Sequence, residues 1–207
     1  MRTRRLRPLS ASGLGALPLW NCRTSLVGPA ADPTPAWAVA AVERFGSCGV
    51  GAHDGDELVG WVLFCPALNV PSDHLLARGA RVAESAMLLG VAVRDSHRGQ
   101  GIGRQLVQAA AGRMVGGATC VDALGAAVPL SCEVAPLHWL TAVGFAPVDV
   151  THAGPVPVRM RLDLGATIRW RPDLRSAVDL LTGWVPRPGV AHEPAGRVLH
   201  RHPAHRA

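Results

Sequence analysis

Residues 91–104 read VAVRDSHRGQGIGR: an apolar run, a turn, glycine at every second position from 99 to 103, and a helical pattern opening at Arg104. A strand that passes through bare backbone into a helix N-terminus commits the chain to a β–α join with room for an anion. The first N–H groups of a helix have no internal partner, and the aligned peptide dipoles add roughly half a positive charge there. Glycines at 99, 101 and 103 let that backbone approach a phosphate with no Cβ in the way. Arg98 and Arg104 add donors matched to phosphate oxygens. Two common nucleotide motifs do not fit. A dinucleotide fingerprint starting at Gly99 needs glycine at 104, where arginine stands, and a Gly-Lys-Ser/Thr loop needs a lysine the chain lacks. Three glycines flanked by two arginines favour a phosphate cradle over a turn that is glycine-rich for shape alone.

The surroundings read as alternating β and α elements. Arg4–Leu9 is a short basic strand, followed by a Ser10 or Ser12 cap and a first helix. In DPTPAWAVAAVERFG, Trp37, Ala41 and Phe45 recur at helical spacing, with Pro35 near the first turn and Gly46 past the end. Two β-rich runs flank Asp54-Gly55-Asp56-Glu57, a hairpin signal. Residues 66–80 read as a loop, and the nearly continuous apolar run 84–93 as a strand buried on both faces. After the glycine turn a helix buries Ile102, Leu106, Ala109 or Ala110, and Arg113 or Met114. VGGATCVDALGAA is ambiguous between loop and short helix. Residues 128–132 read as a strand, APLHWLTAVGF as a helix ending at Gly144, and 156–164 as a half-exposed closing strand. Beyond 165, Leu174, Val178 and Leu181 mark one more amphipathic helix before a basic, polar tail. The expected organisation is one domain over 1–164 and a C-terminal extension over 165–207.

Composition narrows the class. With 48 % hydrophobic and 17 % charged residues the chain is that of a folded protein. No apolar run reaches the length of a membrane span. The N-terminal basic and apolar stretch is broken by Pro8, Gly13, Gly15 and Pro18, which favours a strand and helix over an export signal. Five widely spaced cysteines without a C-x-x-C argue against a metal cluster or disulfide framework and for a reducing cytoplasm. Basicity sits at the ends: 1–23 and 166–207 carry 12 arginines against 3 acids, while 24–165 has 9 against 12. Solvated tails explain such ends more simply than a nucleic-acid partner does. Arginine for every lysine, and no tyrosine, follow from a GC-rich genome.

Arg98-Gly99-Gln100-Gly101-Ile102-Gly103 resembles the Arg/Gln-x-x-Gly-x-Gly/Ala signature of the GNAT superfamily of N-acetyltransferases. The strand ending Val91-Ala92-Val93 before it, Arg104-x-Leu106 after it, and LHWLTAVGF ending in Gly-Phe extend the similarity over about residues 3–164. The resemblance implies an α/β (α+β) fold: a mixed sheet, flanked by helices, in which two adjacent parallel strands splay apart, here 84–93 and 128–132. Pro129 suits a strand leaving its neighbour, since it lacks a ladder donor. By the same resemblance acetyl-CoA is the co-substrate. Its pantetheine amides would pair with the backbone of Val91 and Val93, and its pyrophosphate would sit on the N–H groups of Gly99, Gln100, Gly101, Ile102, Gly103 and Arg104, with Arg98 beside them.

The implied reaction moves an acetyl group to a primary amine, on a small molecule or on a protein lysine or N-terminus. It needs a neutral nucleophile, a polarised carbonyl and a proton for the departing thiolate. A backbone N–H near Val93 can polarise the carbonyl. The tyrosine that often supplies the proton, four residues before the Gly-Phe glycine, is replaced by Leu140; Ser131, Cys132 and His138 are the nearest substitutes. Cys132 reads more readily as a small buried apolar residue, and His138 as a residue on the exposed side of its helix. Glu84 is the candidate general base, although the usual catalytic carboxylate aligns nearer Met87; Glu133 and Asp122 are lesser candidates. A non-catalytic acyl-CoA-binding regulatory protein is the rival reading. Homodimerisation through the C-terminal extension completes the expectation.

Overall fold

Hairpin chemistry sets the sheet. β2 (Gly49–Asp54) and β3 (Glu57–Pro66) pair antiparallel across the Gly55-Asp56 turn, where Gly55 takes a φ of 65°. β1 (Arg5–Leu9) joins the outer edge of β2, and β4 (Ser85–Val93) lies along the other side of β3. This is a computed structural model; it describes residues 4–20, 22–29, 31–128, 131–148 and 157–165, all inside a unit spanning Met1–Trp170. The helix expected over 171–183, and the dimer contact assigned to the extension, lie outside these residues.

The remaining strands are β5 (Cys120–Ala126), β6 (Val134–Pro136), β7 (Ala146–Pro147) and β8 (Val158–Asp163). The order across the sheet is β1-β2-β3-β4-β5-β8-β7, with β6 paired to β5 off this path. β4 and β5 run parallel for three rungs only, from Ser85↔Cys120 to Met87↔Asp122. Past that point β5 pairs in parallel with β6, from Leu124↔Val134 to Ala126↔Pro136. The two strands therefore part, as the sequence resemblance implied, but the second strand is not 128–132. Val128 lies in a bend, Ser131 makes an isolated bridge to Val134, and Pro129 lies outside the described residues. β5 is CVDALGA, a segment of weak β propensity that burial on both faces nevertheless holds in the sheet.

Helices cover the sheet where their apolar stripes predict. α1 (Ala36–Phe45) buries Trp37, Ala38, Ala41 and Phe45. α2 (Ile102–Met114) buries Ile102, Leu106, Val107, Ala110, Ala111 and Met114. It lies so close to β3 that a Cβ on Gly60 would stand 3.1 Å from Ile102 Cγ2 and 3.2 Å from Leu106 Cδ1. α3 (Leu137–Ala142) is shorter than expected and is packed by Leu140, which is fully buried. The segment after β1 forms a 3-10 turn over Ala11–Ala16 in place of an α-helix.

Where β4 leaves β5, the sheet is fastened by charge. Asp122 on β5 is fully buried. Its carboxylate accepts from Arg159 Nε at 3.0 Å and from Arg161 Nε and Nη2 at 2.7 and 2.9 Å. Arg159 also donates to the Ala80 carbonyl at 2.6 Å, tying β8 to the loop before β4. Both guanidiniums occupy Asp122, so it is not free to serve as a base.

The cysteines correct the sequence reading. Cys22 and Cys132, 110 residues apart, form a disulfide, with Cα atoms 5.6 Å apart. Spacing could not show it, because a loop and a turn far apart in the chain meet only in the fold. The support that scattered thiols lent to a reducing compartment falls with it. Cys48, Cys65 and Cys120 are free and buried, and burial raises each thiol's pKa, that of Cys48 to about 11. Among the described residues no helix is long and apolar enough to cross a membrane.

Candidate active site

Strand phase decides what the end of β4 offers. The Arg94 N–H donates to the Val59 carbonyl at 3.0 Å. In an antiparallel pair, hydrogen-bonded rungs alternate with rungs whose backbone groups face away. Trp61↔Ala92 is then a bonded rung, while Val91 and Val93 turn their N–H and C=O groups away from β3, towards the gap left by β5. The Val91 N–H confirms the phase by donating across the gap to the Cys132 carbonyl at 2.9 Å. One of the backbone donors expected to meet a ligand is thus already engaged.

The gap opens into a cleft of about 750 Å³, within the range of about 300–1,000 Å³ usual for small-molecule sites. One wall is β4 from Val91 to Val93 and the glycine turn; the other is the 131–136 segment and α3, with Leu19, Trp20 and Cys22 closing a side. Of the residues singled out in the sequence, Val91, Val93, Arg98, Gly99, Gly101, Ile102, Gly103 and Arg104 line it together. Gln100 does not: its side chain donates to the Ser96 carbonyl at 3.3 Å and meets Arg4. Glu84 does not either. It is exposed just ahead of β4, at the end where β4 and β5 are still paired, about 23 Å along the strand from Val91.

The three glycines have different reasons. Gly99 and Gly101 take φ of 73° and 77°, and a Cβ on either would meet nothing within 4 Å. They set the left-handed turn and leave open space in front of it. Gly101 is the N-cap of α2 and brings no side chain to the first helical N–H groups, which stay open to the cleft. Gly103 has ordinary helical backbone, and a Cβ there would stand 2.9 Å from Trp139 Cζ2. Here the close packing of α3 is what excludes a side chain. The arginines differ likewise. Arg98 reaches into solvent, ion-paired to Asp95 at 2.8 Å. Arg104 donates to the Ala142 carbonyl at 2.8 Å, at the C-terminus of α3.

Sequence reasoning missed several lining residues. His97 precedes Arg98 in the turn, with its ring 3.8 Å from Asp54 and 2.9 Å from the Ser96 hydroxyl. A polar residue beside the glycines was the available signal. Trp20 takes a φ of 46°, the one non-glycine among the described residues with positive φ, and faces both the cleft and Arg94-Asp95-Ser96. Nothing in the sequence marked it. His138 is exposed, as expected of its helix position, yet also lines the cleft, together with Ser131 and Cys132. Glu133 turns aside: it accepts from the Thr24 hydroxyl at 2.6 Å and lies 3.6 Å from His74 Nε2. His74 Nδ1 accepts from the Leu76 N–H, so Nε2 carries the proton and donates to the Leu89 carbonyl at 2.9 Å.

The cleft suits the ligand that the sequence signature implies. Two glycines leave a cradle at a helix N-terminus without a side-chain cap, and the edge of β4 beyond its last rung with β5 runs from it into the sheet. The acetyltransferase (GNAT) family model matches residues 19–131, more than half of the chain. The chain belongs to the GNAT acetyltransferase family. Acetyl-CoA is accordingly its co-substrate, and the mixed sheet with parted parallel strands is the fold of that family. Among solved structures, the chain is similar to the aminoglycoside acetyltransferase AAC(6')-Ib in complex with coenzyme A. Identity is 18 %, with 82 % of this chain and 99 % of that one covered and a TM-score of 0.55. The same enzyme with paromomycin and acetyl-CoA gives 19 %, 83 %, 99 % and 0.53. The GNAT family N-acetyltransferase YhbS from Escherichia coli, in complex with CoA, gives 20 %, 78 %, 81 % and 0.46. No curated protein sequence matches the chain.

Proposed function

We propose that this GNAT protein moves the acetyl group of acetyl-CoA to a primary amine, with the cleft between β4 and the 131–136 segment as the place of transfer. The observation that carries the reading is the continuity of two features. The glycine cradle at Gly99 and Gly101 leads directly into the edge of β4 that β5 has left, where the Val91 carbonyl and the Val93 N–H face the gap. A carrier with a charged diphosphate and an amide-bearing arm needs that order of contacts.

The residues divide the work. N–H groups from Gly101 to Arg104 and the Arg98 guanidinium hold the diphosphate oxygens, Arg98 exchanging Asp95 for them. The Val91 carbonyl and the Val93 N–H pair with the arm, the Val91 N–H being engaged by Cys132. Bound acetyl-CoA supplies an activated acyl group on a thiolate leaving group. His138, exposed on α3 and facing the cleft, holds a proton for that thiolate in place of the missing tyrosine. Glu84 lies too far from the cleft to take the amine's proton. An acceptor that arrives neutral needs no base to begin its attack. The proton its nitrogen sheds on acylation passes to water or back to His138 once His138 has protonated the thiolate, and the rate rises with pH as the free amine becomes available.

The acceptor is a small amine, a protein lysine or an N-terminus. The net negative body, 12 acids against 9 arginines over 24–165, favours a cationic one. A cytoplasmic location belongs to this reading through the cofactor's supply, while the disulfide argues for a less reducing one; cell fractionation decides between them. The test of function is release of free CoA from acetyl-CoA over a panel of polyamines, aminoglycosides, lysine peptides and peptide N-termini. Turnover above the hydrolysis background with any of them supports transfer. Cofactor binding without turnover on any would move the protein to the rival reading, an acyl-CoA-binding regulator.

A further inference from the structure

The Cys22–Cys132 disulfide stands in the wall of the cleft, where both residues are partly exposed. It is not a remote staple. The Cys132 carbonyl accepts from the Val91 N–H at 2.9 Å, which holds this residue against the strand edge that the proposed function assigns to the carrier's thiol-bearing arm. The two sulfurs are also unequal. The Cys132 N–H donates to Cys22 Sγ at 3.2 Å. A donor on a sulfur stabilises it as a thiolate, and a better-stabilised thiolate leaves faster in exchange. Attack on Cys132 Sγ, expelling Cys22, is therefore the favoured direction. Nothing else in the described core competes: Cys48, Cys65 and Cys120 are buried, and desolvation keeps their thiols protonated.

We propose that this disulfide is an exchange site for free CoA, the product of the reaction, which becomes covalently held on Cys132. The inference rests on the cofactor site argued above. In the step, the CoA thiolate attacks Cys132 Sγ, a Cys132–CoA disulfide forms, and the Cys22–Cys132 bond breaks. The electron pair leaves on Cys22 Sγ, which takes up one proton. One disulfide replaces another, so no oxidant or reductant is consumed. Acetyl-CoA, whose sulfur is acylated, does not react. The site thus distinguishes spent from loaded carrier, and the adduct occupies the cleft until Cys22 attacks it and restores the original bond.

The experiment uses the full chain purified without reductant and treated anaerobically with CoA, acetyl-CoA or glutathione. Iodoacetamide quenching, intact mass measurement and peptide mapping follow. One CoA per chain is expected on Cys132, with Cys22 alkylated, forming at least ten-fold faster than the glutathione adduct at equal concentration. Excess desulfo-CoA slows it at least ten-fold. Cys22→Ser, which has no disulfide to exchange, gives no adduct under the same conditions. CoA reacting no faster than glutathione, an adduct on Cys22, an adduct on the Cys22→Ser protein, or free thiols at both positions from the start would each overturn the proposal. Calorimetry with desulfo-CoA separates the two readings. Binding without exchange leaves the cofactor site standing and removes this inference, while failure to bind removes both.

Discussion

Gly101 and Gly103 are two residues apart and serve different masters. At Gly101 any side chain meets open space but must hold φ at 77°, so Gly101→Ala costs about 1 kcal/mol of stability and places a methyl at the diphosphate cradle. The expected result is acetyl-CoA binding weakened at least ten-fold by calorimetry, with the folded spectrum retained. Gly103→Ala keeps ordinary backbone and instead drives a methyl to 2.9 Å from Trp139. It should displace Trp139, visible in tryptophan fluorescence, and destabilise by about 1–3 kcal/mol as overpacking does. His138→Ala tests the proton donor: kcat falls about 100-fold or more while acetyl-CoA affinity stays within two-fold. A loss confined to affinity would make His138 a binding residue. Cys48 gives a pH test. Its folded thiol pKa is raised by burial from 9.0 to about 11, so the folded state keeps a proton that the unfolded state releases. Stability from this group is full below pH 9 and is lost as pH rises through about 11, which thermal melts across that window will read as a falling Tm. At this scale the anion turn was legible because its chemistry is local. The roles of Gly103 and Arg104 were not, because both answer to α3, which lies more than thirty residues later in the chain.

Elements show the same division. α1, α2, the Gly55-Asp56 hairpin and β4 were readable since each carries its own period, cap or turn chemistry. β5 was misplaced because CVDALGA carries little β propensity and includes an acid that only burial against two arginines explains. Those arginines alternate with valine and methionine on β8, where they read as an exposed strand face. Asp122 joins the two strands at the last rung before β4 departs, so Asp122→Asn should destabilise by about 3 kcal/mol in chemical denaturation. The loss should be largest in hydrogen exchange of β4, β5 and β8. Equal loss spread over β1 to β3 would show that the cluster does not anchor the parting of the strands.

For the whole molecule, the described residues that line the cleft fall between Leu19 and Val143, all inside the unit Met1–Trp170. A chain ending at residue 170 should bind acetyl-CoA within two-fold of the full length. Strongly reduced affinity would give residues 171–207 a part in the site. The general architecture was legible because the glycine turn and the order of elements belong together in one family. The disulfide was not, since Cys22 and Cys132 meet only once β6 has slipped into the space that β4 vacates. The central claim is that this space holds the carrier, and calorimetric titration of the full chain with acetyl-CoA tests it most directly, beside an Arg98→Ala/Gly101→Glu double variant shown to be folded. The account predicts one site per chain in the wild type and no measurable binding in the variant. A folded wild-type protein that does not bind, or a variant that binds as well as wild type, would contradict it.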